Sequence, residues 1–169
     1  MSEFHTHEFG PVYDADSRIL ILGSFPSVKS REEGFFYGHP RNRFWPLIAA
    51  LTGESLPETI EEKRSLLLRN RIALWDSIES CEISASSDSS IRNITPVAIG
   101  RITDFCDIRK ILCNGAVSWK YYNRYLKEIT GMEAVKLPST SPANAAWSFD
   151  RLLKEWGAAV TDLLSQQRP

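Results

Sequence analysis

Four short apolar runs recur along the chain: Arg18–Leu22, Ile72–Trp75, Lys110–Cys113 and Ala134–Leu137. Each is too short for a helix. The first and third are rich in Ile and Leu, as strands covered on both faces are. Helical patterns alternate with these runs. Asn42–Leu51 places Phe44, Trp45, Leu47, Ile48 and Leu51 roughly along one face, and Thr59–Asn70 follows Pro57 with a long charged face. Thr95-Pro96 reads as a helix start, Thr as N-cap and Pro at the first helical position, with Val97, Ile99, Ile102 and Phe105 then facing inward. Ala116–Ile129 and Asn144–Leu164 complete the set.

Strands alternating with helices predict an α/β fold: three layers, α/β/α, around a central, mostly parallel four-stranded sheet. Residues 1–17 are polar and read as an irregular N-terminal arm, and residues 18–169 as a single domain. The serine-rich run Ser84–Ser90 reads as a loop. In open α/β sheets, ligands bind outside the carboxyl ends of the strands. The turns expected there are Gly23–Ser27, Asp76-Ser77, Asn114-Gly115 and Pro138–Pro142, all rich in Gly, Pro, Ser and Asx. They should converge on one cleft.

Composition narrows the function classes. The 169 residues carry 20 Lys plus Arg against 21 Asp plus Glu, a net charge of −1. That excludes a polybasic nucleic-acid binder but leaves room for a local basic face. The acids are uneven: four lie in the first 20 residues, against Arg18 alone. Base is in excess at Lys29–Arg43 and at Arg109–Lys127, where Tyr121, Tyr122 and Tyr125 interleave with it. Either segment could meet phosphates; a solvated helix face is the alternative for the second. Cys81, Cys106 and Cys113 are odd in number and widely spaced, with no CxxC, so Cys106 and Cys113 read as reduced core thiols. No apolar stretch is long enough for a signal peptide or a membrane span, and a cytoplasmic location is expected.

Several common sites are missing: there is no GxGxxG, GxxxxGK[ST] or GxSxG. His5-x-His7 could clamp a metal, but in a polar arm it reads as solvated. Lys29, between Ser27 and Ser30, reads as a phosphate contact or a solvated lysine rather than a Schiff-base amine. The loop Phe35-Phe36-Tyr37-Gly38-His39-Pro40 could stack on a flat base or plug the core. On its own, His39 reads as a hydrogen-bonded structural residue before a catalytic one.

Two motifs taken together resemble the uracil-DNA glycosylase superfamily. Gly23-Ser24-Phe25-Pro26-Ser27, followed by Tyr37-Gly38-His39-Pro40-Arg41-Asn42-Arg43-Phe44-Trp45, is similar to the Gly-x-Asn-Pro-Gly and His-Pro-x-Asn-Arg-Phe-Trp of mismatch-specific uracil/thymine glycosylases. Leu137-Pro138-Ser139-Thr140-Ser141-Pro142 looks like the superfamily's His/Asn-Pro-Ser loop, which enters the minor groove. The Gly-Ser-Phe-Pro-Ser form, Leu74–Asp76 and Ser139–Asn144 resemble the hypoxanthine-DNA (deoxyinosine) branch most. The resemblance implies the uracil-DNA glycosylase fold, and a monofunctional glycosylase of base excision repair that hydrolyses the N-glycosidic bond of a flipped-out deaminated base. Hypoxanthine is the base expected. The partner implied is double-stranded DNA containing that base, met by a monomer without metal or cofactor.

Two positions depart from the superfamily pattern. Phe25 stands where uracil glycosylases have the Asp or Asn that positions water, and Leu137 stands in place of the His or Asn on the leaving base. Both departures speak against efficient uracil excision. The hypoxanthine branch implies a catalytic polar residue in the Gly-x-Pro slot, here His39. The expected site is then His39 and Ser139 in catalysis, with Tyr37 stacking on the base and Phe25, Ser24 and Asp76 around it. Asp76 would accept the N1–H that hypoxanthine has and adenine lacks; helix capping is its rival role. Ser27, Lys29, Arg43, Ser139, Ser141 and Asn144 would hold phosphates. The alternatives are a mismatch-specific uracil/thymine glycosylase, a non-catalytic lesion binder on the same fold, and a small hydrolase that does not act on nucleic acid.

Overall fold

A computed structural model describes residues 2–84 and 91–167, with side chains to residue 161. The central sheet has four parallel strands in the order β3-β2-β6-β7: β2 (Ile19–Gly23), β3 (Ile72–Asp76), β6 (Lys110–Asn114) and β7 (Ala134–Leu137). The expected apolar runs are the strands. Every residue of β2 and β3 is buried, because helices cover both faces. A fully buried Ile or Leu contributes about 1.5–3 kcal/mol, so the Ile-Leu-Ile-Leu run of β2 anchors the core.

The chain leaves β2 through α1 (Val28–Glu33), α2 (Phe44–Thr52) and α3 (Ile60–Arg69) to reach β3. Thr59 and Glu62 form a reciprocal capping box that starts α3 as the sequence suggests. From β6 the chain runs the other way, through α5 (Ala116–Tyr121), a π-helical turn (Tyr122–Leu126) and α6 (Lys127–Thr130), to β7. The expected single helix Ala116–Ile129 is therefore interrupted by a π turn, which helps bury both Tyr121 and Tyr122. The last helix, α7 (Phe149–Gln167), begins five residues later than expected, since 144–147 form turns. Cys81, Cys106 and Cys113 are unpaired and buried. No described helix is long and apolar enough to cross a membrane.

A second, antiparallel sheet departs from the expected layout. It has the order β1-β4-β5, with β1 (Glu3–Thr6), β4 (Ile78–Ile83) and β5 (Ile91–Pro96). The N-terminal segment is thus not an irregular arm. It supplies an edge strand, and Val12 bridges to Leu74. Thr95-Pro96 closes β5 instead of starting a helix; the helix that follows, α4 (Gly100–Thr103), is one turn long. Val97, Ile99 and Ile102 are buried as expected, but Phe105 is 60% exposed. Register shifts within the β4–β5 pair break the alternation that marks a strand in sequence. Most of the Ser84–Ser90 run lies outside the described residues.

Candidate active site

At the carboxyl ends of β2 and β6 the connections depart in opposite directions across the sheet, and a crevice opens between them. A cavity of about 340 Å³ fills it. Its walls come from all four of the expected turns: Gly23–Ser27, Asp76, Asn114 and Ser139–Ser141. Arg31, Phe36, Tyr37 and Asn42 close it from the segment after β2.

The floor depends on Gly23. It pairs in register with Asp76, and a Cβ there would lie 2.4 Å from Asp76 Oδ1 and 2.9 Å from the Tyr37 hydroxyl. Glycine alone lets these two polar atoms share the floor. Tyr37 holds its place at some cost. Its φ is 53°, a left-handed conformation that a bulky residue adopts rarely and at about 1–3 kcal/mol. Its ring stacks on Phe44 at 4.1 Å, so one face is already covered. The buried hydroxyl lies near Asn114 without a hydrogen bond of regular geometry. Burial, and then the charge of Asp76, push its ionisation far above the ordinary tyrosine range, so it keeps its proton. It is a donor whose hydrogen has no acceptor among the described residues.

Asp76 is 4% exposed. Its Oδ2 receives a 2.8 Å hydrogen bond from His7 Nε2, and His7 is itself buried just beyond β1. Burial pulls the His7 pKa down, but the Asp76 hydrogen bond and charge outweigh it, with help from the Phe9 backbone and Glu79. The net value lies above the ordinary one. The capping role weighed for Asp76 finds no helix to cap, since β4 follows.

Asn42 forms part of the wall. Its Oδ1 accepts from Phe44 N–H at 3.0 Å and from Thr140 Oγ1 at 2.8 Å. Thr140 is oriented in turn by Asn114, which receives the Thr140 N–H on Oδ1 and donates Nδ2 to Thr140 Oγ1, both at 3.0 Å. This chain fixes the Asn42 amide and leaves Nδ2 as a donor with no acceptor among the described residues.

The structure brings together Ser24, Phe25, Ser27, Tyr37, Asp76, Ser139 and Ser141 from the expected set. Phe35 and Phe36 are core, 3% and 2% exposed, so the aromatic loop is partly plug and partly wall. Ser27 caps α1, and Ser139 Oγ accepts from Ser141 N–H. Asn144 donates to Ser139 O and borders an adjoining groove. Three expected residues stand apart from the cleft. His39 is exposed, and its Nδ1 accepts from Arg41 N–H, which shapes the turn. Lys29 is exposed beside Glu32 and Glu33. Arg43 turns inward and donates to the carbonyls of Trp147, Ser141 and Asn144, clamping the 139–147 loop instead of facing solvent. The basic stretch Arg109–Lys127 also lies off the cleft: Arg109 pairs with Asp107, Lys127 with Glu133, and Lys120 and Arg124 lie over Tyr121 and Tyr125.

Sequence reasoning missed Arg31, Asn42, Asn114, Thr140 and His7. Asn42 lay inside a quoted motif, three residues beyond His39, and Asn114 and Thr140 lay in turns already named as strand ends. Nothing local in the sequence marked His7 as buried.

Comparison with known proteins agrees over nearly the whole chain. The profile of the uracil DNA glycosylase superfamily matches residues 11–162. A Methanosarcina acetivorans protein named hypoxanthine DNA glycosylase is 35% identical over 158 residues, 89% of this chain and 94% of that one. A Methanosarcina barkeri protein of the same name is 33% identical over 138 residues, 80% and 86% of the two chains. A solution NMR structure from M. acetivorans, described as a candidate uracil DNA glycosylase, superposes with a TM-score of 0.79 at 34% identity. The match covers 93% of this chain and 96% of that one.

Proposed function

Because the chain belongs to the uracil DNA glycosylase superfamily and is a DNA glycosylase, we propose that the base it removes is hypoxanthine, flipped out of double-stranded DNA. The observation that carries this reading is the pair of polar atoms beside Gly23: the Tyr37 hydroxyl, a donor that keeps its proton, and Asp76 Oδ1, an acceptor. Deamination of adenine replaces an amino group by a carbonyl and puts a hydrogen on N1. The product presents an acceptor, O6, next to a donor, N1–H. That edge complements the Tyr37–Asp76 pair; the edge of adenine opposes it. A site built to pair with such an edge rejects the analogue that leaves its buried groups unpaired.

The lactam edge of uracil would satisfy the same pair. Two features favour the purine. Phe25 and Leu137 replace the side chains that the superfamily pattern uses on uracil, and the relatives that cover most of the chain are named for hypoxanthine. A volume of about 340 Å³ lies within the range of small-molecule sites. Phe25 then forms an apolar wall, and Tyr37 acts through its hydroxyl.

In the reaction the C1′–N9 bond breaks and its electron pair stays with the base. The sugar passes through an oxocarbenium-like state. Water oxygen bonds to C1′ and a water proton ends on the base, giving free hypoxanthine and an abasic site. Donors that stabilise the departing base carry the catalysis. Asn42 Nδ2 is the fixed donor of the cleft wall and takes the role that sequence assigned to His39. Ser139 and Ser141, with Ser24 and Ser27, hold the flanking phosphates, and Arg31 adds charge at the rim. A lesion in a mispair costs less to extrude, so selection begins before the pocket is reached. One copy of the chain suffices, and the unpaired buried thiols suit a reducing cytoplasm.

Single-turnover cleavage of duplexes carrying inosine, uracil, xanthine or thymine opposite each base tests this. Inosine should be cut fastest. Uracil cut without inosine sinks the hypoxanthine reading. Tight binding to inosine DNA with no abasic product sinks catalysis.

A further inference from the structure

The Asp76 carboxylate is buried, and what fixes it comes from a segment outside the strand-end turns. His7 follows β1 directly, and its backbone N–H donates to Glu79 O at 2.7 Å, which anchors it to β4. From there its Nε2 reaches Asp76 Oδ2 at 2.8 Å; the two side chains are 1% and 6% exposed. Rings of Phe9, Phe25 and Phe36 surround the imidazole at 4.7, 6.0 and 5.9 Å. Bonded to Oδ2, His7 leaves Oδ1 as the oxygen beside Gly23 and the Tyr37 hydroxyl.

We propose that His7 is a positioning residue of the glycosylase site: the N-terminal strand delivers an imidazole that selects which Asp76 oxygen faces the base and keeps that carboxylate charged. The inference rests on the reading of Asp76 as the acceptor of the base N1–H. A buried carboxylate needs a hydrogen-bonded partner to hold its charge. A protonated Asp76 could turn an O–H toward the base and meet N1–H donor to donor. His7 prevents this by donating to Oδ2. The other charged groups near the pair fit the arrangement. Glu79 on β4 favours the protonated imidazole. The Tyr37 hydroxyl stays neutral beside Asp76. Arg31 on α1 stands over the Phe25 ring, 5.9 Å from its centroid, and the same ring meets His7 edge to face.

The experiment uses the full chain and an inosine duplex under single-turnover conditions from pH 5 to 9. Its variants are His7→Leu, His7→Gln and Asp76→Asn, with folding checked by thermal melting. His7→Leu should slow excision at saturating enzyme by about tenfold to a hundredfold, with half-saturation by DNA little changed. Its acid limb should shift from that of wild type, in which the His7 charge, favoured by Asp76, lies beside the carboxylate. His7→Gln keeps a neutral donor: it should restore much of the rate at pH 8 while retaining the shifted acid limb. Should His7→Leu not fold, the His7→Gln profile decides alone. A wild-type pH profile in the folded His7 variants, with Asp76→Asn inactive, overturns the role of His7 and leaves the base reading standing. Full inosine activity in Asp76→Asn overturns the base reading itself.

Discussion

Replacing Gly23 by Ala is the smallest change that tests the cleft floor. The added methyl would sit 2.4 Å from Asp76 Oδ1 and 2.9 Å from the Tyr37 oxygen. Real Cβ contacts do not fall below 3.0 Å, so Oδ1 must retreat by at least about 0.6 Å, and by about 1.0 Å to reach ordinary contact. The backbone cannot yield instead, because Gly23 pairs with Asp76 across the β2–β3 ladder and its carbonyl accepts from Ser77 N–H at 2.8 Å. The carboxylate must therefore rotate against its 2.8 Å bond to His7. Overpacking costs about 1–3 kcal/mol. At about 2 kcal/mol, the melting temperature of a chain this size falls by about 4–8 °C. Displacing the acceptor by about 1 Å should slow inosine excision by about 10²-fold. DNA affinity should hold, since no phosphate contact is touched. The assays are thermal melting, fluorescence anisotropy with inosine duplex, and single-turnover excision. A folded Gly23→Ala protein that melts lower yet excises at the wild-type rate refutes the reasoning. The floor would then be tightly packed but irrelevant to the base.

Other expectations follow from the same geometry. Asn42→Ala removes the fixed donor of the wall and should lower excision by about 10²-fold or more at nearly unchanged DNA affinity; an equal loss in His39→Ala with none in Asn42→Ala would return the role to His39. Thr140→Val keeps the shape but removes one of the two donors to Asn42 Oδ1 and the acceptor of Asn114 Nδ2, so stability should fall by about 1–3 kcal/mol in urea titration and excision should slow with it. Affinity for inosine duplex should fall only gently with salt, because serines supply most of the phosphate contacts and Arg31 is the one Lys or Arg lining the cleft among the described residues; a steep plot of log affinity against log salt would mean that cations outside the cleft carry the binding. Stability should also carry the signature of His7. Its folded pKa lies above its unfolded value of about 6.5, so its contribution is full below that pH and fades as pH rises through the folded midpoint. Denaturant titrations of wild type and His7→Gln should therefore converge toward alkaline pH, and a constant gap between them would contradict the assignment.

The buried strands were legible because their rule is simple. A strand covered by helices on both faces must be apolar throughout, and Ile19–Leu22 and Ile111–Cys113 satisfy that locally. The order of turns then placed the cleft, and with it Gly23, Asp76 and Ser139. The antiparallel sheet obeys no such local rule. The burial of β4 and β5 is broken by register shifts, and β1 is exposed at three of its four positions. Its reason to be a strand lies in the partner edge, which has no trace in residues 3–6. The same limit separates His39 from Asn42. Both are polar residues of one loop, and it is the hydrogen bond from Thr140, 98 positions away, that ties one of them into the wall.

His7 shows why the remaining part of the site was not legible. A histidine in a polar segment with Glu3 and Glu8 has every local sign of a solvated side chain. Its burial is decided by Asp76, 69 positions on, whose own burial is decided by Gly23. Each of these residues breaks a local expectation alone: a carboxylate inside the core, a glycine inside a buried strand, an imidazole with phenylalanine neighbours. Together they satisfy one another, because the space left by the missing Cβ holds the carboxylate and the imidazole holds its charge. A set of residues that is costly singly and consistent jointly must be assembled as a unit. Glycine at 23, Asp at 76 and His at 7 should therefore show strong coupling in double-variant cycles. Combining Gly23→Ala with His7→Gln should cost little more in excision than Gly23→Ala alone, since the first change already pushes Asp76 off its partner. Additive losses would mean that the two residues act on Asp76 independently.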